Sequence, residues 1–201
     1  QDKIFAMVGH IGTAQNVATF PVLFAKNVFN FYPIPAAREM YEPLHKMKYA
    51  FAATYYDQMR LAVPKMVQDK GAKRVCAIYQ DDDFGLEVLK GSEDGLKAAG
   101  MEMAEKVSYK RGATDFSSQV AKTKAAGCDL VVLGTIIRET IGARGEARKS
   151  GFNATYLAGV TPDVAPGTVL NVAGRFSCSL AELIDMVGDA VGQPVPLDRR
   201  P

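Results

Sequence analysis

Short apolar runs alternate with longer amphipathic stretches along most of the chain, and this alternation decides the class of fold. "KIFAMVGH", "VFNFYPIP", "KYAFAAT", "KRVCAIYQ", "MEMAEKVSY", "CDLVVLGTI" and "ATYLAGV" read as strands. "AQNVATFPVLFAKN", "YYDQMRLAVPKMVQDKG", "FGLEVLKGSEDGLKAAG", "DFSSQVAKTKAAG" and "RETIGARGEARKSG" read as helices, several of them stopped by glycine. In "DLVVLG" everything after the aspartate is apolar, as a strand covered on both faces must be. Strand–helix alternation with short loops builds parallel βαβ units, with helices on both sides of the sheet. The expected class is therefore α/β: three layers, αβα, with largely parallel, doubly wound sheets. "VCAIY", "DLVVLG" and "TYLAGV" should be neighbours in one sheet. Leu89 and Leu96 fall on one face of their helix, and Pro64 predicts a kink or a late start in its own.

Function classes narrow by what is missing. The formal net charge is +2 and the basic residues are scattered, which gives no footprint for nucleic acid. No apolar stretch approaches the roughly 18 residues that span a bilayer. The start, "QDKIFAMVGH", has no signal-peptide pattern, so the chain is cytosolic or its export signal lies upstream. Nucleotide-binding glycine fingerprints and the nucleophile elbow are absent. His10 and His45 are the only histidines and lack partners for a triad or zinc site. The odd count and wide spacing of Cys76, Cys128 and Cys178 argue against a disulfide framework, and the first two read as small buried hydrophobes.

Two stretches place polar groups where such sheets bind ligands, beyond the carboxyl ends of the strands. In "IYQDDDFGLEVLKG", Asp82 or Asp83 can cap the following helix, and no spaced oxygen-ligand loop surrounds them to make a metal site. "VGHIGTAQN" brings glycines and Thr13 to a helix start whose free amides suit an anion such as a carboxylate.

Read together, "KIFAMVGHIGT", "FYPIPAA", "YQDDDFGLEVLKGSEDGLKAAG", "DFSSQVAKTKAAGCDLVVLGT" and "RKSGFNATYLAGV" resemble the branched-chain amino-acid (Leu/Ile/Val-binding, type I) family of periplasmic solute-binding proteins, over about residues 2–163. The resemblance implies a binding protein rather than an enzyme, with no cofactor. It implies periplasmic localisation, an ABC-importer permease as partner, and a small amino acid or apolar or aromatic carboxylate held between two lobes. Residues 1–53 correspond to part of lobe one and 54–162 to lobe two. Position by position, Thr13 matches the hydroxyl that binds the ligand carboxylate, and Ala36 and Ala37 match the loop whose amides hold the same group. Arg38 replaces a small hydroxyl residue, Phe84 matches an aromatic that packs on the ligand, and Ile136 and Ile137 replace aromatics. Val160 replaces the acid that pairs with a ligand ammonium. A buried ammonium without that partner is costly, and an arginine beside the carboxylate loop suits a carboxylate, so the pattern favours an apolar or aromatic acid over a zwitterion.

The tail, residues 163–201, is of a different character. "GTVLNVAGRFSCSLAELIDMVGDAVGQPVP" reads as a strand and a helix capped by Ser179 and Glu182, and resembles the C-terminal piece of extended short-chain dehydrogenases. An epimerase-like enzyme or a fusion to one, on the tail alone, and a ligand-sensing domain of the same fold are the alternatives.

Overall fold

The structure is a computed structural model that describes residues 3–159. The strand, helix and cap expected in the tail, and Val160, lie outside the described residues.

Among the described residues seven strands and five α-helices alternate, with a 3-10 turn (Arg38–Met40) in place of a helix between the second and third strands. β1 (Ala6–Val8), β2 (Phe29–Phe31) and β3 (Lys48–Tyr49) form a parallel sheet in that order. These strands are shorter than the apolar runs that hold them. Gly9 and Tyr32 take positive φ, 65° and 49°, immediately after β1 and β2, and Pro33 and Pro35 have no N–H for a ladder. α1 (Thr13–Ala25) connects β1 to β2.

α2 (Tyr55–Lys70) leads into the second unit, whose parallel sheet has the order β5-β4-β6-β7. β4 spans Val75–Gln80, β5 Glu105–Tyr109, β6 Leu130–Gly134 and β7 Thr155–Ala158. The three strands expected to be neighbours, β4, β6 and β7, are adjacent. α3 (Asp83–Ala98), α4 (Ser117–Ala125) and α5 (Ile137–Lys149) complete the alternation. Side-chain alternation divides the sheet between two cores. Val75, Ala77, Leu130 and Val132 pack with Tyr55, Met59 and Val63 of α2 and with Val88 and Leu96 of α3. Cys76, Ile78, Val131 and Leu133 pack on the other face with Val120 of α4 and with Ala143 and Ala147 of α5. The first core also takes in Phe20, Ala36, Ala37 and Met40, so it continues under both sheets.

Two expectations need correction. α2 starts at Tyr55 and runs through Pro64, with no late start. Pro64 sits where α2 passes α3, and a Cβ built on Gly95 would meet Arg60 O at 2.7 Å and Pro64 Cδ at 3.1 Å. The helix is held there by packing against α3, which overrides proline's local preference. Second, Cys76 and Cys128 form a disulfide, with Cα atoms 5.9 Å apart. Both are buried, as small hydrophobes would be, but adjacent strands bring together cysteines that stand 52 residues apart in the chain.

Candidate functional site

The carboxyl ends of β1, β2, β4, β5 and β6 surround one pocket of about 460 Å³. One wall is the loop after β1 (His10, Ile11, Gly12) with Thr13 and Gln15 of α1, joined by Pro35. The other is Phe84, Arg111, Ile136, Ile137 and Arg138.

The first wall is built around the start of α1. Gly12 is its N-cap, at φ 93°, a conformation that favours glycine, and no side chain caps the helix or places an acid in its first turn. Asn16 holds the loop by donating to the carbonyls of His10 (3.0 Å) and Gly12 (2.8 Å). Thr13 is 2% exposed, and its Oγ1 has no hydrogen-bond partner among the described residues. A buried hydroxyl without a partner is a cost that most folded proteins avoid. Here it stands beside free helix amides at the positive end of the helix dipole.

The second wall rests on Asp82. Asp82, rather than Asp83, is the N-cap of α3, accepting from the Gly85 N–H. Its other oxygen accepts from the Gln80 amide (2.5 Å) and Arg111 Nη2 (2.7 Å), so the cap also aims Arg111. Phe84 is buried, with its ring edge-on to Tyr55 at 5.0 Å. α5 begins at Ile137 after Ile136, with no side-chain cap. Arg138 Nη2 lies 2.7 Å from Oε1 of the fully buried Glu139. Burial pushes the neighbouring Tyr109 phenol up from its ordinary value, and the Glu139 charge adds to the shift.

Of the residues singled out in the sequence, Thr13, Phe84, Ile136 and Ile137 meet in this pocket. Ala36 and Ala37 do not line it. They are buried in the core, where the Ala36 carbonyl accepts from the Tyr55 N–H that starts α2 and the Ala37 carbonyl accepts from Met40. Arg38 does not line it either. Its Nε lies 2.7 Å from Glu87 Oε1, and its guanidinium stacks 4.3 Å from the centroid of the Tyr56 ring. Arg38 belongs to a separate hollow of about 210 Å³ with Glu39, Asp83, Glu87 and Lys90. Burial pushes the Glu39 carboxyl up there, with the Glu87 and Asp83 charges adding. Glu87 is 5% exposed and Arg38 is its cation. Arg38→Ala is therefore expected to cost about 1–3 kcal/mol of stability by stranding a buried carboxylate. A urea titration checks this, and an unchanged midpoint refutes it.

Arg111 and Arg138, the cations that do line the pocket, were missed in the sequence because basic residues are scattered along it. The usable signal was position: each follows the carboxyl end of a parallel strand, in "VSYKRG" and "LGTIIRE".

Two parallel sheets whose strand ends share a solute-sized pocket, walled by helix starts and apolar side chains, form the kind of cavity in which small-molecule sites occur. The chain belongs to the periplasmic binding protein family, whose model matches residues 1–179, past the residue 163 or so where the resemblance read from the sequence ends. It is 30% identical over 96 residues to Leu/Ile/Val-binding protein homolog 7 of Brucella abortus (strain 2308), covering 48% of this chain and 24% of that protein. A substrate-binding periplasmic protein from Ralstonia solanacearum has a similar fold, with TM-score 0.71 and 24% identity, over 77% of this chain and 43% of that one. So does an ABC-transporter solute-binding protein from R. palustris in complex with 4-hydroxybenzoate, with TM-score 0.69 and 18% identity, over 78% of this chain and 43% of that one. The chain thus spans about a quarter of the length of the curated relative and less than half of the solved ones.

Proposed function

We propose that this chain forms the ligand cleft of a solute-binding component that serves an ABC-type importer in the periplasm, and that it binds rather than transforms its solute. In this reading residues 1–53 and 54–162 supply the two lobes, and the solute is a small apolar or aromatic carboxylate. The observation that carries it is the buried, unpartnered Thr13 Oγ1 at the uncapped start of α1, inside the pocket. A carboxylate oxygen placed there accepts from the hydroxyl and from the helix amides, and the dipole favours its charge. Phe84 and Ile136 offer the apolar wall. None of the described lining residues is acidic, and the nearby Asp82 and Glu139 already hold arginines. A ligand ammonium would therefore be desolvated without a counter-charge, which disfavours a zwitterionic amino acid.

Calorimetry with 4-hydroxybenzoate, its amide and leucine tests the reading. The acid should bind saturably and the amide at least tenfold more weakly. Thr13→Val should remove a hydrogen bond to a charged group, worth about 1.5–3 kcal/mol of affinity, and leave the melting temperature unchanged or higher. Equal affinity for acid and amide, or tight binding of leucine alone, would overturn it.

A further inference from the structure

Three helices begin at the pocket, and they are not equivalent. α3 has its own carboxylate cap in Asp82; neither α1 nor α5 has a side-chain cap, and α5, unlike α1, carries an acid in its first turn, the buried Glu139 paired with Arg138. α1 follows a strand of the three-stranded sheet and α5 follows one of the four-stranded sheet. The uncapped starts therefore enter the pocket from its two walls, Thr13 on one and Ile136 to Arg138 on the other. The α5 side also holds both arginines. Each spends Nη2 on one carboxylate, Asp82 for Arg111 and Glu139 for Arg138, and a guanidinium has five N–H donors, so each keeps donors to spare. Asp82 is already an acceptor for three groups, the Gly85 N–H, the Gln80 amide and Arg111, so it fixes the guanidinium without exhausting it.

We infer that the pocket takes a dicarboxylate, with one carboxylate at Thr13 and the α1 amides and the other at Arg111, Arg138 and the α5 amides, across an apolar spacer against Phe84 and Ile136. This rests on the reading above that α1 anchors a carboxylate, and adds that the opposite wall selects a second one. A single anion leaves one uncapped helix start and two partly used guanidinia to water. A dianion engages both, and charge-assisted bonds to arginine are the stronger kind. A pocket of about 460 Å³ has room for a spacer the size of a benzene ring or a short alkyl chain.

The test compares benzene-1,4-dicarboxylate, its monoamide and 4-hydroxybenzoate by calorimetry at two salt concentrations. The dianion should bind at least tenfold tighter than either monoanion, with the steeper loss at high salt. Arg138→Lys, at an exposed side chain, keeps a cation beside the buried Glu139 but loses the guanidinium fork; it should weaken the dianion by a larger factor than either monoanion. Arg111→Lys keeps a cation for Asp82 and so guards against loss of the α3 cap; it too should weaken the dianion by a larger factor than the monoanions. Equal binding of dianion and monoanions in the unaltered chain overturns the second subsite and leaves the carboxylate anchor standing. Failure of all three acids to bind overturns both.

Discussion

Gly91→Val is expected to destabilise the protein by roughly 3–5 kcal/mol, a large part of the 5–15 kcal/mol that holds a typical domain folded. A Cβ built on Gly91 would lie 2.3 Å from Tyr56 O and 2.8 Å from Tyr56 Cα. Both atoms are backbone of α2, so no side chain can swing aside and the helices themselves must separate. Gly95, four residues on and on the same face, meets Arg60 O in the same way. Glycine inside a helix ordinarily costs about 1 kcal/mol relative to alanine, and here the close approach of α2 and α3 compensates. Separating these helices would also loosen the first core, which holds Tyr55, Met59 and Val88. Gly145 of α5 is the control, because a Cβ there meets nothing within 4 Å. Gly145→Ala should leave stability unchanged or raise it by up to about 1 kcal/mol. Urea denaturation of both variants gives the comparison, and a Gly91→Val midpoint within 1 kcal/mol of the parent would show that the crossing is slack.

The layered α/β class was legible because it follows from periodicity, and periodicity is local. After Asp129, "LVVLG" is apolar at every position, and β6, which it forms, is buried at every position. That Asp82 or Asp83 caps α3 was legible for the same reason, since helix starts advertise their chemistry within a few residues, and the structure selects Asp82. What failed was information that arises only when distant segments meet. Cys76 and Cys128 look unrelated until β4 and β6 lie side by side. Arg38 stands beside the resemblance's carboxylate loop in sequence, but Glu87, on a helix far along the chain, captures it. Pro64 argues for a kink or a late start by local rules, and packing against α3 lets the helix start at Tyr55 and include it. The pocket shows the same division. Thr13 was visible as a hydroxyl at a helix start, a local pattern. Arg111 and Arg138 acquire meaning only from the strand ends that carry them to the wall facing it.

Removing the Cys76–Cys128 cross-link should lower stability by about 4 kcal/mol, on the chain-entropy argument for a separation of 52 residues. The bond acts mainly on the unfolded chain, whose conformations it restricts by tying β4 to the residues just before β6. For a chain of this size that corresponds to a fall of roughly 8–16 °C in Tm. Both cysteines are buried, at 0% and 4% exposure, so a reductant added to the folded protein should act slowly and one present during unfolding should act fully. Melting curves with and without dithiothreitol, and of the Cys76→Ala/Cys128→Ala double variant, separate the possibilities. The double variant should melt near the reduced protein, a little lower because two buried sulfur atoms are lost from a core that also holds Ile78, Val131 and Ala143. Coincident curves with and without reductant would show that the pair does not constrain the chain. A stabilising disulfide of this kind persists where the surroundings are oxidising, as the proposed periplasmic setting would be. The same chain made in a reducing cytosol should therefore lose the cross-link while keeping the two sulfur atoms, buried as thiols between the same strands.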